Sequence, residues 1–220
     1  MSTTHRRFET AIEQLTRPFN GQFPRPWMTD LTDPLSAQLF VVGMNQAKGY
    51  PVTRLTHERH LNALFNRAGE SCRGLYYEMH KPSRARPNLD RLRLALSHEG
   101  VKRILETNVV CYSTAMSSDL RSNEHAGGRE QGTVIFRTLL GFVRPKALIV
   151  HGSQAAKALG KCVDAFIPPP PSLPSEPVST DVAGMKVFVI PSLAPPAWNT
   201  WCGGADEHLT KVARTAAASL

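Results

Sequence analysis

The sequence lacks both long apolar runs and paired cysteines. No stretch approaches the roughly 20 apolar residues that a membrane-spanning helix needs, and the N-terminal segment MSTTHRRFETAIEQL has no apolar signal core. The cysteines stand singly, so no C-x-x-C pair can present two thiolates to one metal ion; they are Cys72, Cys111, Cys162 and Cys202. We therefore expect a cytoplasmic protein with reduced thiols and without membrane contact.

The sequence also lacks the common signatures of cofactor sites and activated nucleophiles. It contains no G-x-S-x-G elbow, no P-loop lysine and no dinucleotide-binding fingerprint. His57 and His60 are three residues apart on a predicted helix, but no suitably placed carboxylate completes a zinc-binding set. We expect neither a metal nor a cofactor.

Positive charge is in excess. Lys and Arg together number 26 against 18 Asp and Glu, which gives a formal net charge of +8. This charge favours a polyanionic partner such as nucleic acid, although a basic protein without such a partner would have the same composition. Because 220 residues can bury one sizeable core, we expect a single domain over residues 1–220 and a monomer.

Short β-branched runs alternate with segments of helical apolar spacing. The spacing predicts helices at residues 8–15, 57–68, 89–105, 131–143, 154–159 and 206–218, and strands at residues 38–43, 107–112, 146–151 and 186–191. This order predicts an α/β fold, a three-layer α/β/α sandwich with a central four-stranded parallel sheet. Residues 1–36 would form an N-terminal helix and lead-in, residues 38–202 the core, and residues 205–220 a C-terminal helix.

Two loops far apart in the chain follow predicted buried strands. They are LFVVGMNQAKGYP, which offers Asn45, and VFVIPSLAPPAWNTW, which offers Ser192 among prolines. Ligands of open parallel sheets bind beyond the carboxyl ends of the strands, so we expect these loops to form the walls of one pocket. The carbonyl oxygen of Asn45 could orient a water there, but a turn asparagine that serves its own backbone is the simpler alternative.

Three further segments have candidate roles in binding nucleic acid. Ser153 opens a predicted helix whose N-terminus could attract phosphate, or it could serve only as a cap. Leu193 and Ala194 could act as apolar wedges between bases, or the loop could simply cover the core. Residues 70–88 combine tyrosines with basic side chains and predict either a surface that tracks a nucleic-acid strand or a solvated loop; these basic residues are Arg73, Lys81, Arg84 and Arg86.

The segment FIPPPPSLPSEPVS is too rich in proline to join a helix or the interior of a sheet. We expect it to connect the helix after His151 to the last strand.

Several segments together resemble the uracil-DNA glycosylase superfamily. GMNQAKGYP is similar to the first motif, whose Asp or Asn positions the hydrolytic water, and HLNALFNRAG is similar to the helix that follows it. ETNVVCYS, ALIVHGSQAAKAL and VFVIPSLAPPAWN resemble the later motifs, in the family's order. The resemblance covers about residues 38–202, and the single-strand-selective and mismatch-specific branches are the most similar.

The resemblance implies a monofunctional DNA glycosylase of base-excision repair that flips an altered base, such as uracil, out of single- or double-stranded DNA and hydrolyses its N-glycosidic bond. Asn45 would hold the water. The implied base-binding residues are Met44, Gln46, Tyr50, Val52, Tyr112 and Ile190; the implied DNA-binding residues are Ser153, Pro191, Ser192, Leu193, Ala194, Lys81, Arg84 and Arg86.

Several positions depart from the family pattern. Ile190 stands where the family has His or Asn, and Tyr112 where several branches have a base-reading Asn. A catalytically inactive nucleic-acid-binding relative is therefore the alternative prediction, and an enzyme acting on free nucleosides or nucleotides is a third.

Overall fold

The computed structural model describes residues 2–171 and 176–220. Its helices are α1 (Thr3–Leu15), α2 (His57–Leu64), α3 (Cys72–Met79), α4 (Arg86–His98), α5 (Gly128–Val143), α6 (Ser153–Val163), α7 (Ala197–Trp201) and α8 (Ala205–Ala217). Its strands are β1 (Gln22–Phe23), β2 (Leu39–Gln46), β3 (Tyr50–Pro51), β4 (Ile104–Ser113), β5 (Ala147–His151), β6 (Ser179–Val182) and β7 (Met185–Ile190).

The central sheet contains five strands in the order β4-β2-β5-β7-β6 and is mostly parallel, with helices flanking it. In the parallel pairs, Leu39 of β2 lies beside Ala147 of β5, and Ile149 of β5 lies beside Phe188 of β7. β2 and β5 are continuous apolar runs because central parallel strands are buried on both faces. The predicted α/β class is confirmed, and the architecture fits a three-layer sandwich.

The prediction of four strands is wrong, because β6 extends the sheet. It pairs antiparallel with β7, and the hairpin joins Val182 to Met185 through Ala183 and Gly184. Both loop residues have positive φ, 50° and 81°, as the tight two-residue hairpin turn requires. The described part of the proline-rich segment before Ser179 forms no helix or strand, as predicted; its residues 172–175 lie outside the described residues.

Two further boundaries differ from the predictions. The stretch 70–88 is not all loop, since α3 lies within it and buries Cys72, Leu75, Tyr76 and Met79 at helical spacing. The predicted helix at 89–105 is two elements. α4 ends at His98, and the chain reverses at Gly100 (φ 81°) before β4 begins.

The chain forms two compact units, each built from several segments. The first comprises residues 1–37, 45–81 and 105–144, and the second comprises residues 38–44, 82–104 and 145–220. The first unit contains a buried cluster of Phe23, Tyr50, Leu55, Ala63, Leu75 and Met79. The second contains a larger core from β2, β5, β7, α4 and α8. That residues 1–220 act as one domain stays a prediction.

Candidate functional site

Asn45 lies near the end of β2, where it enters the first unit, and is partly exposed. Its Nδ2 donates to the Thr114 hydroxyl at 2.8 Å and to the Gln46 carbonyl at 3.3 Å. The Thr114 hydroxyl in turn donates to the Met116 carbonyl at 2.7 Å. A hydroxyl has a single proton, so Thr114 must accept from Asn45 rather than donate to it.

This arrangement fixes the orientation of the Asn45 side chain. Both of its hydrogen-bond partners are acceptors, so the amide nitrogen faces Thr114 and the carbonyl oxygen Oδ1 points away. No described residue donates a hydrogen bond to Oδ1. Asn45 therefore presents a fixed acceptor that can bind a water or a substrate donor.

Gln46, the next residue, is buried and forms hydrogen bonds with the segments around Arg25 and Thr114. Its Nε2 donates to the Arg25 carbonyl, and its backbone carbonyl accepts from the Thr114 amide at 3.0 Å. These bonds hold the backbone around Asn45 rigid. The Gln46 side chain is buried and bonded to Arg25, so its predicted contact with a base would come from the backbone.

Tyr50 begins β3 and is buried in a group of aromatic and cationic side chains. Its ring stacks on His80 with centroids 5.7 Å apart and meets His60 edge-on at 5.4 Å. The Arg25 guanidinium lies 5.3 Å from its centroid. Val52, which the resemblance also assigns to base binding, is 39% exposed. A ring clamped in this way is a fixed wall of the first unit, whereas Val52 faces solvent.

Burial controls the protonation of this group. It raises the pKa of Tyr50, and the Arg25 charge opposes that effect. Burial also lowers the pKa of His60 to about 3, although His60 shares a 2.9 Å hydrogen bond with the Pro24 carbonyl. The pKa of His80 is lowered by burial, which outweighs the opposing effect of the nearby Gly49 carbonyl. At pH 7 these three side chains are therefore neutral.

Tyr112, predicted to contact the base, is fully buried in the first unit. Its hydroxyl shares a 3.0 Å hydrogen bond with His125 Nδ1, and its ring packs edge-on against Phe19 with centroids 6.1 Å apart. A Cβ added to Gly128 at the start of α5 would lie 2.6 Å from the ring. In this conformation the side chain is a packing element.

The second unit contains the predicted phosphate-binding turn. Gly152, between β5 and α6, has φ 92° and ψ 145°, and its amide donates to the Ile190 carbonyl at 2.9 Å. A Cβ at position 152 would lie 3.4 Å from Cβ of Ser192, so the turn and the Ser192 loop are neighbours. No side chain caps α6, its first turn holds no acidic residue, and Ser153 is exposed there. This helix start is suited to an anion.

The loop after β7 is anchored mainly through its backbone. The Trp201 indole donates to the Ser192 carbonyl at 3.2 Å, and Asn88 Nδ2 donates to the Leu193 carbonyl at 2.9 Å. Ser192 Oγ accepts from the Ala194 amide at 3.2 Å, so this side chain stabilises its own turn. The loop is a rigid support.

The Leu193 side chain is fully buried in the core of the second unit, whereas Ala194 is half-buried. This corrects the expectation that Leu193 is an apolar tip in the free protein. Ile190 and Pro191 are buried as well, and Met44 is half-buried. The base- and DNA-binding roles of these residues stay predictions.

The basic residues predicted to track a strand do not share one environment. Lys81 and Arg84 are exposed. Arg86 is buried and pairs with Asp90 at 3.1 Å, and Arg73 is 14% exposed and pairs with carboxylates. Of the four, only Lys81 and Arg84 are exposed, and the other two are engaged in ion pairs.

The structure thus collects Asn45, Gln46 and Tyr50 in the first unit and Ser153, Ile190 and Ser192 in the second. Sequence reasoning missed Thr114 and Arg25. Thr114 directly follows β4 and the apparent motif ETNVVCYS, which was the available signal. Arg25, between two prolines in FPRPW, follows no periodic pattern.

No group of three or more His, Cys, Asp or Glu residues in the described ranges is arranged to hold a metal ion. No helix of the described chain has both the length and the apolar character to cross a membrane.

Comparison of the chain with models of known protein families gave no match, and comparison with curated proteins gave none either. The function is therefore proposed from the geometry of the two units and from the sequence resemblance.

Proposed function

We propose that the protein is a divergent uracil-DNA glycosylase-like enzyme that hydrolyses the N-glycosidic bond of uracil or another altered base in DNA. The observation that carries this proposal is the orientation of Asn45, whose Oδ1 is left free by the bonds of Nδ2 to Thr114 and to the Gln46 carbonyl. The formal charge of +8 supports a DNA substrate.

In this mechanism the Asn45 carbonyl oxygen accepts a hydrogen bond from the attacking water. An amide is too weak a base to take the proton fully, so the rate would come from placing the water against a sugar that becomes oxocarbenium-like as the base departs. Base extrusion precedes this step, because the bond is inaccessible within a stacked duplex. Fixed dipoles near the leaving base would stabilise its negative charge.

The test is base release from oligonucleotides that carry uracil, hypoxanthine, xanthine or an oxidised pyrimidine, detected by alkaline cleavage of the abasic product. Asn45→Ala should lower the single-turnover rate by at least about 100-fold, because the water loses its acceptor. Asn62→Ala is the matched control, since Asn62 is also a half-buried asparagine of the first unit. No release from any substrate at stoichiometric protein would refute the proposal.

The environment of Tyr112 favours a second candidate, a non-catalytic nucleic-acid-binding relative. Its ring is packed and its hydroxyl already bonded to His125, so it offers no free group to a base. Salt-dependent DNA binding should then persist in Asn45→Ala without turnover in either protein. Binding that does not weaken with salt would exclude this candidate.

A further inference from the structure

Arg25 is a buried cation of the first unit, with only 8% of its surface exposed. Its guanidinium carbon lies 5.3 Å from the ring centroid of Tyr50 and 5.1 Å from that of Tyr76. One nitrogen, Nη1, donates to the Tyr50 hydroxyl at 3.4 Å. The two rings position the guanidinium but supply no net negative charge.

No carboxylate of the described residues forms an ion pair with Arg25. The acidic side chains on neighbouring elements are engaged with other arginines. Glu78 pairs with Arg59, and Glu106 pairs with Arg73. Burying a guanidinium without a counter-ion costs free energy of folding. The contacts with the two tyrosine rings do not offset this cost, so we look for a ligand that would.

The weakly acidic neighbours of Arg25 do not neutralise it either. Burial raises the pKa of Tyr50 and of Cys72, and in both cases this exceeds the opposing effect of the nearby arginine. The phenol and the thiol therefore remain protonated at pH 7, and the charge of Arg25 stays uncompensated.

Two more cations accompany Arg25. His80 stacks on Tyr50 with rings 4° from parallel, and the charges of Arg25, Lys48 and Arg54 all act on it. Lys48 and Arg54 are exposed, and neither forms an ion pair with a described residue. Arg54 Nη1 donates to the carbonyl of Met79, the residue before His80, at 3.4 Å, and Lys48 precedes Tyr50 by two residues, so both exposed cations lie near this cluster.

We propose that Arg25, with the exposed Lys48 and Arg54 nearby, binds the phosphate group of an anionic ligand. A guanidinium presents two parallel N–H donors that match two phosphate oxygens, and the exposed cations add charge at the entrance. The phosphate could belong to a nucleic-acid strand or to a small phosphorylated molecule. This site goes beyond the proposed function, because it does not depend on cleavage of any glycosidic bond.

The first experiment measures the melting temperature of the full chain in sodium phosphate and in sodium chloride at matched ionic strength. Phosphate should raise it specifically, because a ligand that binds the folded state stabilises that state. Arg25→Met should weaken phosphate binding at least about tenfold. Arg67→Met is the matched control, since Arg67 also lies over a ring, that of Phe65, but pairs with Glu9.

Without phosphate, Arg25→Met should melt at the same or a higher temperature than the wild type, because it removes an uncompensated buried charge. A purely structural Arg25 would give the opposite result. Should Arg25→Met fail to fold, Lys48→Glu tests the site at an exposed position and should also weaken phosphate binding. Lys102→Glu makes the same charge change on an exposed lysine of the second unit.

A spectroscopic readout separates binding from general stabilisation. Phosphate should raise the pKa of His80, followed by NMR, because the anion offsets the charges of Arg25, Lys48 and Arg54 that lower it. The effect should be absent in Arg25→Met.

A single-stranded oligonucleotide and a nucleoside 5′-monophosphate distinguish the two sources. Oligonucleotide binding that depends on Arg25 and is displaced by phosphate indicates the strand backbone, whereas Arg25-dependent binding of the monophosphate alone indicates a small ligand. The proposal is overturned if phosphate stabilises the wild type no more than chloride, or if Arg25→Met and Lys48→Glu both keep the full phosphate effect. None of these outcomes depends on base release.

Discussion

The two units differ in the kind of group that their candidate sites offer to a ligand. In the first unit, burial lowers the pKa of His57, His60 and His80 and raises that of Tyr50 and Cys72. The second unit has an apolar core, and its candidate site consists of a helix start and a loop held by bonds to backbone carbonyls. The candidate site of the first unit therefore consists of polar side chains, whereas that of the second consists of backbone amides and a rigid loop.

This difference implies different sensitivities to mutation. A side chain oriented by one neighbouring hydroxyl, as Asn45 is by Thr114, can be disturbed by one substitution that leaves the fold intact. A helix start or an anchored loop responds mainly to changes in backbone conformation. Three measurements test this contrast.

The largest effect is expected for Thr114→Val. Valine has nearly the same shape but cannot accept from Asn45 Nδ2, so the amide can rotate and base release should slow by about 10- to 100-fold. Thr114→Ser retains the hydroxyl and should keep most of the activity. The side-chain amide NMR signals of Asn45 should shift in the valine variant, independently of turnover. An unchanged rate and unchanged signals would show that Thr114 does not orient Asn45.

Acid should destabilise the first unit through its buried histidines. The unfolded chain binds a proton on His60 below about pH 6.5, but the folded chain does so only near pH 3, so the free energy of unfolding falls as pH drops through this window. Between pH 7 and pH 5 the loss from His60 is about 2 kcal/mol. The lowered pKa values of His57 and His80 act in the same direction.

Hydrogen exchange at these two pH values, followed residue by residue, is the measurement. His60→Gln, whose amide can still donate to the Pro24 carbonyl, should flatten the pH dependence. Exchange in the first unit that does not accelerate between pH 7 and pH 5 would contradict this prediction.

Backbone control in the second unit is tested by Gly152→Ala. The backbone there has φ 92° and ψ 145°, a region that residues with a Cβ rarely adopt, so the change should destabilise the protein by about 1–3 kcal/mol. Gly203→Ala is the control, because that glycine is exposed and a Cβ would meet nothing within 4 Å. Denaturant unfolding measures both. Equal stability of the two variants would argue against backbone control of the turn.

The sequence allowed the α/β class and the main buried strands to be predicted, because continuous β-branched runs such as LFVV and ALIV are strong signals. β6 was not predicted because STDV is short and largely polar, and only Val182 in it is buried. The end of α4 could have been predicted, since Gly100 in SHEGV marks a helix stop.

The candidate site was predictable only in part. Asn45 follows a clear strand, so its place at the end of β2 could be predicted. The hydroxyl of Thr114 that orients it lies 69 residues later in the chain, directly after β4, and single-sequence patterns carry no information about such pairs. Arg25 was missed for the same reason. Its importance comes from the absence of an ion-pair partner among the described residues, which appears only in three dimensions.

The ring of Tyr112 fills the space that a side chain at position 128 would need. The ring covers the start of α5 so closely that even a methyl group at position 128 would overlap it. Alanine at position 128 should therefore be tolerated only together with a smaller side chain at position 112, and the two substitutions would rescue each other. A variant with asparagine at position 112, which would give the site an amide that can bind a base, should therefore be made together with Gly128→Ala.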